Sequence, residues 1–333
     1  MEIREVPDPV LVNQNDVKIK MSVVGVCGSD VHYFTQGKIG SQVVQYPFPV
    51  GHEGAGVVIE TGRSVKRVRT GDVIAIEPAI TCGECDQCLS GRPNTCRKLR
   101  FLGCPGQAEG CLSEYIILPE GSCIPLHKGL TADDGVISEP IAIGVYSVKT
   151  SMPLKGRKVG ILGFGPIGMS VMLAAMAEGA SGIFVTDKID ERLSLASKEG
   201  ALLALNPLKG DIVKAILEQE PLGLDVVFEC CGQQDAFDQG IELLKPGSKL
   251  MVVGIPEFDK WIMSVDRTRR KEITVQFVRR QSNCTEDALE MIRTRKIDVS
   301  NMITHRFPFK NAKEAFDLAA SYGDGVMKAM IDF

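Results

Sequence analysis

Four cysteines fall within fifteen residues, at Cys82, Cys85, Cys88 and Cys96. Their spacing lets four thiolates surround one Zn²⁺ as a closed tetrahedron. A closed site leaves no position for a substrate, so its expected role is structural. Ligand type alone would also admit an iron–sulfur cluster. A second set of metal-ligating residue types is scattered along the chain. Cys27-Gly28-Ser29-Asp30-Val31-His32 is one segment and Gly51-His52-Glu53 another. Each is weak alone, because a lone cysteine is more often core and a lone histidine more often a surface group. Together they offer a thiolate, an imidazole and a carboxylate, a donor set suited to an open, catalytic zinc. Such a zinc lowers the pKa of bound water from about 15.7 to near 7, and a bound alcohol should fall similarly.

A third motif, Gly163-Phe164-Gly165-Pro166-Ile167-Gly168, follows an expected strand and opens an expected helix. In that context it reads as a dinucleotide-binding turn. Gly163 permits the tight turn, Gly165 lets the backbone approach a pyrophosphate, and Gly168 lets helix and strand pack closely. Pro166 sits where a missing N–H costs little. Ile167 completes a first turn whose free N–H groups suit phosphate. Asp187 lies nineteen residues after Gly168, at the end of the next expected strand. A carboxylate there accepts hydrogen bonds from the adenosine ribose and repels a 2′-phosphate, favouring NAD over NADP. Lys188 and Arg192 lie close by and leave room for NADP; Arg192 is counted among the cofactor residues. Cys231, Val253, Gly254 and Ile255 follow strand ends, where open sheets bind ligands, and are expected to flank the nicotinamide.

These motifs need elements to hold them. Val17–Val26, Gly56–Glu60 and Ser113–Leu118 read as strands. Residues 80–111 show no period and require something to fix them. The character changes near residue 140. Strands Lys158–Leu162, Gly182–Thr186, Asp225–Cys230 and Lys249–Val253 then alternate with helices Pro166–Glu178, Glu191–Lys198, Asp211–Gln219 and Asp235–Leu244. Lys245-Pro246-Gly247 is expected to close the last helix. This rhythm predicts a doubly wound parallel sheet. From Thr285 two amphipathic helices should flank a strand.

Composition narrows the function classes. A chain of 333 residues suggests two domains, and 44% apolar with 24% charged residues is an ordinary globular balance. Net charge is −4 with no basic stripe, which argues against a nucleic-acid partner or a zinc-ribbon module. The short run Arg267–Lys271 reads as solvated or cofactor-side. The charged start, Met1-Glu2-Ile3-Arg4-Glu5, is no secretion signal. The apolar stretch Ile161–Val185 holds Glu178 and several glycines, so no membrane span is expected. Cytoplasm is the default. Eleven cysteines then suggest metal sites and reduced thiols rather than disulfides. Cys104, Cys111, Cys123, Cys230, Cys231 and Cys284 are read as small buried residues.

With these motifs in place, the sequence resembles the zinc-containing medium-chain dehydrogenases, and most of all their sorbitol (polyol) branch. The resemblance covers nearly the whole chain. It includes the segments above, Gly71-Asp72-Val73, Glu139-Pro140, Phe228-Glu229-Cys230-Cys231-Gly232 and Thr304-His305-Arg306-Phe307-Pro308. Gly37-Lys38-Ile39-Gly40 is similar to polyol enzymes in particular. The implied fold is α/β plus β: a Rossmann NAD-binding domain, 142–284, inserted into a GroES-like β-barrel catalytic domain, 1–141 and 285–333, with the structural zinc lobe at 82–96. The family implies one catalytic and one structural zinc per chain. Cys27 and His52 would bind the catalytic zinc, with Glu53 a third or exchanging ligand. Glu139 stands where ordinary alcohol dehydrogenases carry cysteine, and would bind zinc directly or through water. Asp30 would orient His52. Ser29 would hydrogen-bond the alcohol, whose proton would pass by the cofactor ribose to His32 and solvent while a zinc-bound alkoxide gives hydride to the nicotinamide. Tyr33, Phe101 and Arg280 would line the substrate pocket, with Glu114 anchoring Arg280, Arg279 facing the cofactor and Trp261 in the core.

The expectation is NAD-linked oxidation of a secondary alcohol, a sorbitol- or xylitol-like polyol, to the ketose. The same chemistry on an idonate-like sugar acid, a polyol phosphate, 2,3-butanediol or threonine is the alternative. A silent nucleotide-binding regulatory relative would be expected to lose metal ligands, and Cys27, His52, Glu53 and Glu139 are all present. The resemblance implies a homodimer or homotetramer, as is common in the family. Two departures stand out. The chain begins past the family's usual first strand, so its start is truncated or its barrel edge differs. It also keeps the complete cysteine set that animal sorbitol dehydrogenases lack, and so resembles microbial members.

Overall fold

The computed structural model describes residues 1–333. The chain divides into two compact units, Met1–Glu139 with Thr285–Phe333, and Pro140–Cys284.

The first unit is built on a seven-stranded sheet. Its strands run in the order Ile303–Pro308, Lys328–Asp332, Asp16–Gly25, Glu53–Thr61, Val73–Ile76 and Cys123–Pro125, and Tyr115–Pro119 also pairs with Asp16–Gly25. All pairs are antiparallel except Ile303–Pro308 with Lys328–Asp332. Inward residues such as Val17, Ile19, Val58, Ile74 and Leu118 form its core. Register then decides the chemistry. Gly25 pairs with Glu53 on one side and Met330 on the other. Three strand ends therefore bring Cys27, Glu53 and Lys328 to one place. Gly25 must lack a side chain, since a Cβ there would lie 2.4 Å from Glu53 Oε2.

The second unit is a six-stranded, all-parallel sheet in the order Leu203–Leu205, Gly182–Thr186, Lys158–Leu162, Leu224–Glu229, Leu244–Val252, Thr274–Phe277. This is the doubly wound order with its switch point beside Lys158–Leu162. Gly182–Thr186 and Leu224–Glu229 are buried at every residue, as strands covered on both faces must be.

The structure corrects several expectations. Gly28–Gln36 and Ala132–Ser151 are helices the sequence did not announce, and Lys328–Asp332 is an unannounced strand. Lys245-Pro246-Gly247 does not lie outside the sheet. It falls within the strand Leu244–Val252, where the register jumps from Leu224↔Leu244 to Val226↔Lys249 and the missing proline N–H breaks no ladder bond. Residues 80–111 are only partly irregular. Arg100–Phe101 pairs with Ala79–Ile80, and Asp86–Leu89 forms one helical turn. In the run Arg267–Lys271 the three arginines are exposed, as a solvated segment should be, but Lys271 is half-buried. Its Nζ donates to the carbonyls of Ile241, Glu242 and Leu244 at 2.7–3.1 Å and closes the helix Gln234–Leu243. Of the cysteines expected to be buried, Cys231 is exposed and Cys230 half-buried, because they lie in the loop beyond a strand end; Cys104, Cys111, Cys123 and Cys284 are buried. Trp261 is half-buried and stacks on Phe237 at the core's edge. No helix is long and apolar enough to cross a membrane.

Candidate metal centres and cofactor loop

The helix Gly28–Gln36 begins at Cys27, whose extended backbone (φ −91°, ψ 151°) makes it the N-cap. Asp30, three residues on and fully buried, accepts a hydrogen bond from Cys27 N at 3.3 Å through Oδ2. Its Oδ1 accepts from Gly51 N at 3.2 Å and meets His52 Nδ1 at 3.3 Å. One carboxylate thus ties the helix start to the Gly51-His52 turn and leaves His52 Nε2 to face elsewhere. A ligand atom each from Cys27, His52 and Glu53 lies within 4.8 Å of the others. Burial pulls the His52 imidazole down, but Asp30 and the Cys27 sulfur more than offset it, and its pKa stands well above the usual range. Metal binding takes the neutral ring, so a cation would replace that proton.

Glu53 is not free to move. Lys328 Nζ lies 2.5 and 2.7 Å from its two oxygens and donates also to Val26 O at 3.2 Å. Both side chains are about 1% exposed, which decides that this is a buried pair. Burial lowers the Lys328 pKa, yet Glu53 and Cys27 raise it above its ordinary value. Lys328 was missed from the sequence. The available signal was a lysine inside the apolar run Val326-Met327-Lys328-Ala329-Met330-Ile331, since a buried charge needs a partner. Glu139 is also buried, in the helix Ala132–Ser151, but outside the converging set. Burial pushes its carboxyl up to about 7; His52 opposes the rise, and Glu53 and Glu77 add to it. Ser29 Oγ donates to Cys27 Sγ at 3.5 Å, so it is not the backbone-bonded turn residue that spacing alone allowed. His32 is half-buried on the same helix.

The four-cysteine lobe converges by itself. Its sulfurs stand 3.4 Å (Cys96–Cys82), 3.6 Å (Cys85–Cys88) and 3.9 Å (Cys82–Cys88, Cys85–Cys96) apart. Four ligands at ~2.3 Å from one tetrahedral centre would stand ~3.8 Å apart. The N–H groups of Arg97 and Cys88 lower Cys85 to about 6, while burial and the neighbouring thiols raise Cys88 to about 12. A divalent cation lets all four ionise together, so the donor set fits zinc.

Further along, the glycine loop has the expected close approaches. Gly163 has φ +97°, and a Cβ on Gly168 would lie 2.0 Å from Gly163 O. Gly165 is the N-cap and Pro166 the first residue of the helix Pro166–Ala177, with Ile167 after it. Asp187 accepts from Phe164 N at 2.6 Å and Ile189 N at 2.9 Å, holding the loop against the second strand's turn. The Arg192 guanidinium lies 3.3 Å from where a Gly165 Cβ would be. Val253 N and Gly254 N both donate to Glu229 O, and Ile255 is half exposed. Cys231 packs against Gly163, where a Cβ would meet its own at 2.6 Å.

Among the substrate candidates, Phe101 is buried with its ring 5.4 Å from that of His52. Tyr33 is buried and donates to Gln42 Oε1 at 3.1 Å. Arg280, at φ +55°, and Arg279 belong to the second unit, and Glu114 is an exposed residue of the first.

Comparison with known proteins agrees with this geometry. Residues 13–128 match the family model of the alcohol dehydrogenase GroES-like domain, and residues 166–294 that of the zinc-binding dehydrogenases. The chain is 31% identical to a sorbitol dehydrogenase of Bacillus subtilis over 99% of its length and 93% of the relative's. It is 33% identical to an L-idonate 5-dehydrogenase of Vitis vinifera, over 93% of this chain and 86% of that one. A solved oxidoreductase of unknown specificity from Escherichia coli superposes with a TM-score of 0.91 at 31% identity, covering 99% and 94% of the two chains. This chain joins a GroES-like domain to a Rossmann sheet, with a zinc-suited donor set and a dinucleotide-type glycine loop. The chain therefore belongs to the zinc-containing medium-chain alcohol dehydrogenases, in their polyol dehydrogenase branch, and is an enzyme acting on a small-molecule alcohol.

Proposed function

We propose that this enzyme oxidises a neutral polyol of the sorbitol or xylitol type to its ketose with NAD. The observation that carries the reading is the convergence of Cys27, His52 and Glu53 beside a second buried carboxyl, Glu139. When bound, zinc supplies a Lewis acid for the alcohol oxygen and NAD the hydride acceptor.

The chain's own residues do the rest. Cys27 and His52 would hold the metal, with Asp30 fixing the imidazole tautomer through Nδ1. Lys328 engages both oxygens of Glu53, which would serve as a third or exchanging ligand, and Glu139 would meet the metal directly or through water. Ser29 Oγ and the His32 ring, three residues apart on one helix, are neighbours on its surface and would carry the alcohol proton outward. Tyr33 and Phe101 would line the substrate side. Asp187 favours NAD, with Arg192 at the pyrophosphate turn; NADP is the alternative that Lys188 would serve. Four thiolates at Cys82, Cys85, Cys88 and Cys96 would hold the structural zinc. We further propose a homodimer or homotetramer working in the cytoplasm, where eleven cysteines, none in a disulfide, stay reduced.

The second reading is a sugar acid, the substrate named for the Vitis relative. Initial rates of NAD⁺ and NADP⁺ reduction, over polyols, sugar acids, amino alcohols, 2,3-butanediol and polyol phosphates, separate the two. A preference for one polyol with NAD⁺, abolished in Cys27→Ser, is expected. No turnover of any polyol by protein carrying zinc at both sites would overturn the proposal.

A further inference from the structure

Gln42 lies in a small hairpin, where Lys38–Ile39 pairs with Gln42–Val43. It is half-buried. Its amide closes a triangle of neutral polar groups. Tyr33 donates its hydroxyl hydrogen to Gln42 Oε1 at 3.1 Å, Gln42 Nε2 donates to Cys104 Sγ at 2.8 Å, and the phenol oxygen stands 3.6 Å from that sulfur. Two routes connect this triangle to the metal ligands. Tyr33 rides on the helix that starts at Cys27. Cys104 N donates to the carbonyl of Phe101, whose ring lies 5.4 Å from the His52 ring.

An amide nitrogen carries two hydrogens, and Gln42 commits one of them, to Cys104. The other remains a donor on a half-buried group, beside Tyr33 and Cys104, and Cys104 is tied by its backbone to Phe101, whose ring neighbours His52. Such a donor recognises a hydroxyl oxygen beyond the reacting carbon. A simple secondary alcohol has none there. The triangle carries no formal charge, so it suits a neutral polyol better than a phosphate ester.

We propose that Gln42 is a specificity-determining residue, which donates its second amide hydrogen to a hydroxyl of the substrate and so selects polyols over simple secondary alcohols. The inference rests on the polyol reading above and names the group that enforces it.

The experiment compares Gln42→Leu and Gln42→Glu with wild type, using xylitol, sorbitol and 2-butanol. Both variants keep the side chain's approximate size. Gln42→Glu also keeps an acceptor for Tyr33 but replaces the donor NH2 with a carboxylate oxygen. The ratio of kcat/KM for xylitol to that for 2-butanol is expected to fall about tenfold in both, chiefly through the xylitol KM. Zinc content and Tm, measured alongside, identify a variant that merely folds less well, since misfolding lowers both substrates alike. An undiminished ratio in either variant overturns the role of Gln42. A wild-type enzyme that oxidises 2-butanol but no polyol overturns the polyol reading itself.

Discussion

The two candidate metal centres of this chain are made in opposite ways. The four-thiol lobe draws every ligand from fifteen residues, Cys82 to Cys96, and its surroundings are exposed: Arg97 pairs with Asp86, and Lys98 with Glu84, at the surface. The Cys27, His52 and Glu53 centre is gathered from strand ends and is sealed by Lys328, 275 residues away from Glu53. The first is closed by its own ligands. The second offers only three donors, with Asp30 as a buried carboxylate behind Cys27 and His52 and a buried ion pair at Glu53. A local site needs only a short loop and a metal. An open site needs a rigid sheet, because its ligands do not enclose the metal and cannot hold their own geometry.

The comparison can be broken most severely at Cys27. Replacing it with serine should lower kcat/KM about a thousandfold or more, from losing several kcal/mol of Lewis-acid stabilisation. Elemental analysis should then find one zinc per chain instead of two. Two zincs retained with full activity would remove Cys27 from the centre. The next largest effect is on stability. Lys328→Met strands a buried carboxylate and should destabilise the fold by about 3–5 kcal/mol. The double change Lys328→Met with Glu53→Gln should recover much of that in denaturant melts. Equal stability of the single and double variants would deny the pairing.

Asp30→Asn sharpens the contrast at smaller scale. It keeps the shape but weakens the hold on His52 Nδ1, and should cost roughly 10- to 100-fold in zinc affinity at the catalytic centre alone. Competition with a chromogenic chelator would show this as one zinc leaving early; simultaneous loss of both would contradict it. Arg97→Ala should do least. The Arg97–Asp86 pair is exposed, so Tm should not move measurably, and the lobe should still retain its zinc. A large drop in Tm would show that the local site leans on its periphery after all.

The sequence was most legible where structure is local. The glycine loop, the apolar runs of the parallel strands and the cysteine spacing each follow from neighbours in the chain. Lys158–Leu162 and Gly182–Thr186 appear with the bounds their patterns suggest, because strands buried on both faces are continuous apolar runs. The helix Gly28–Gln36 was hidden by its Gly-Ser-Asp start, which looks like a turn until Cys27 and Asp30 cap it. The helix Ala132–Ser151 contains Pro140, a residue that ordinarily ends helices, and its apolar residues lie all around rather than in one stripe. Exposure of Cys231 was equally unreadable, since residue type suggests burial and only a place past a strand end reverses it.

By itself, then, the sequence determined the doubly wound sheet, its glycine turn, the four-thiol set and the residue types of the second centre. Those features depend on spacing within one turn or one loop, which covalent geometry sets. Tertiary structure alone decided that Glu53 is locked to Lys328, that Glu139 stands buried outside the converging set, and that Gln42 reaches Tyr33 and Cys104. The reason is register. Pairing Gly25 with both Glu53 and Met330 depends on how whole strands bury their inward faces, and a one-residue slip would turn Glu53 and Lys328 to the other face, whereas Glu139 on its helix and Gln42 in its separate hairpin are placed by how those elements pack.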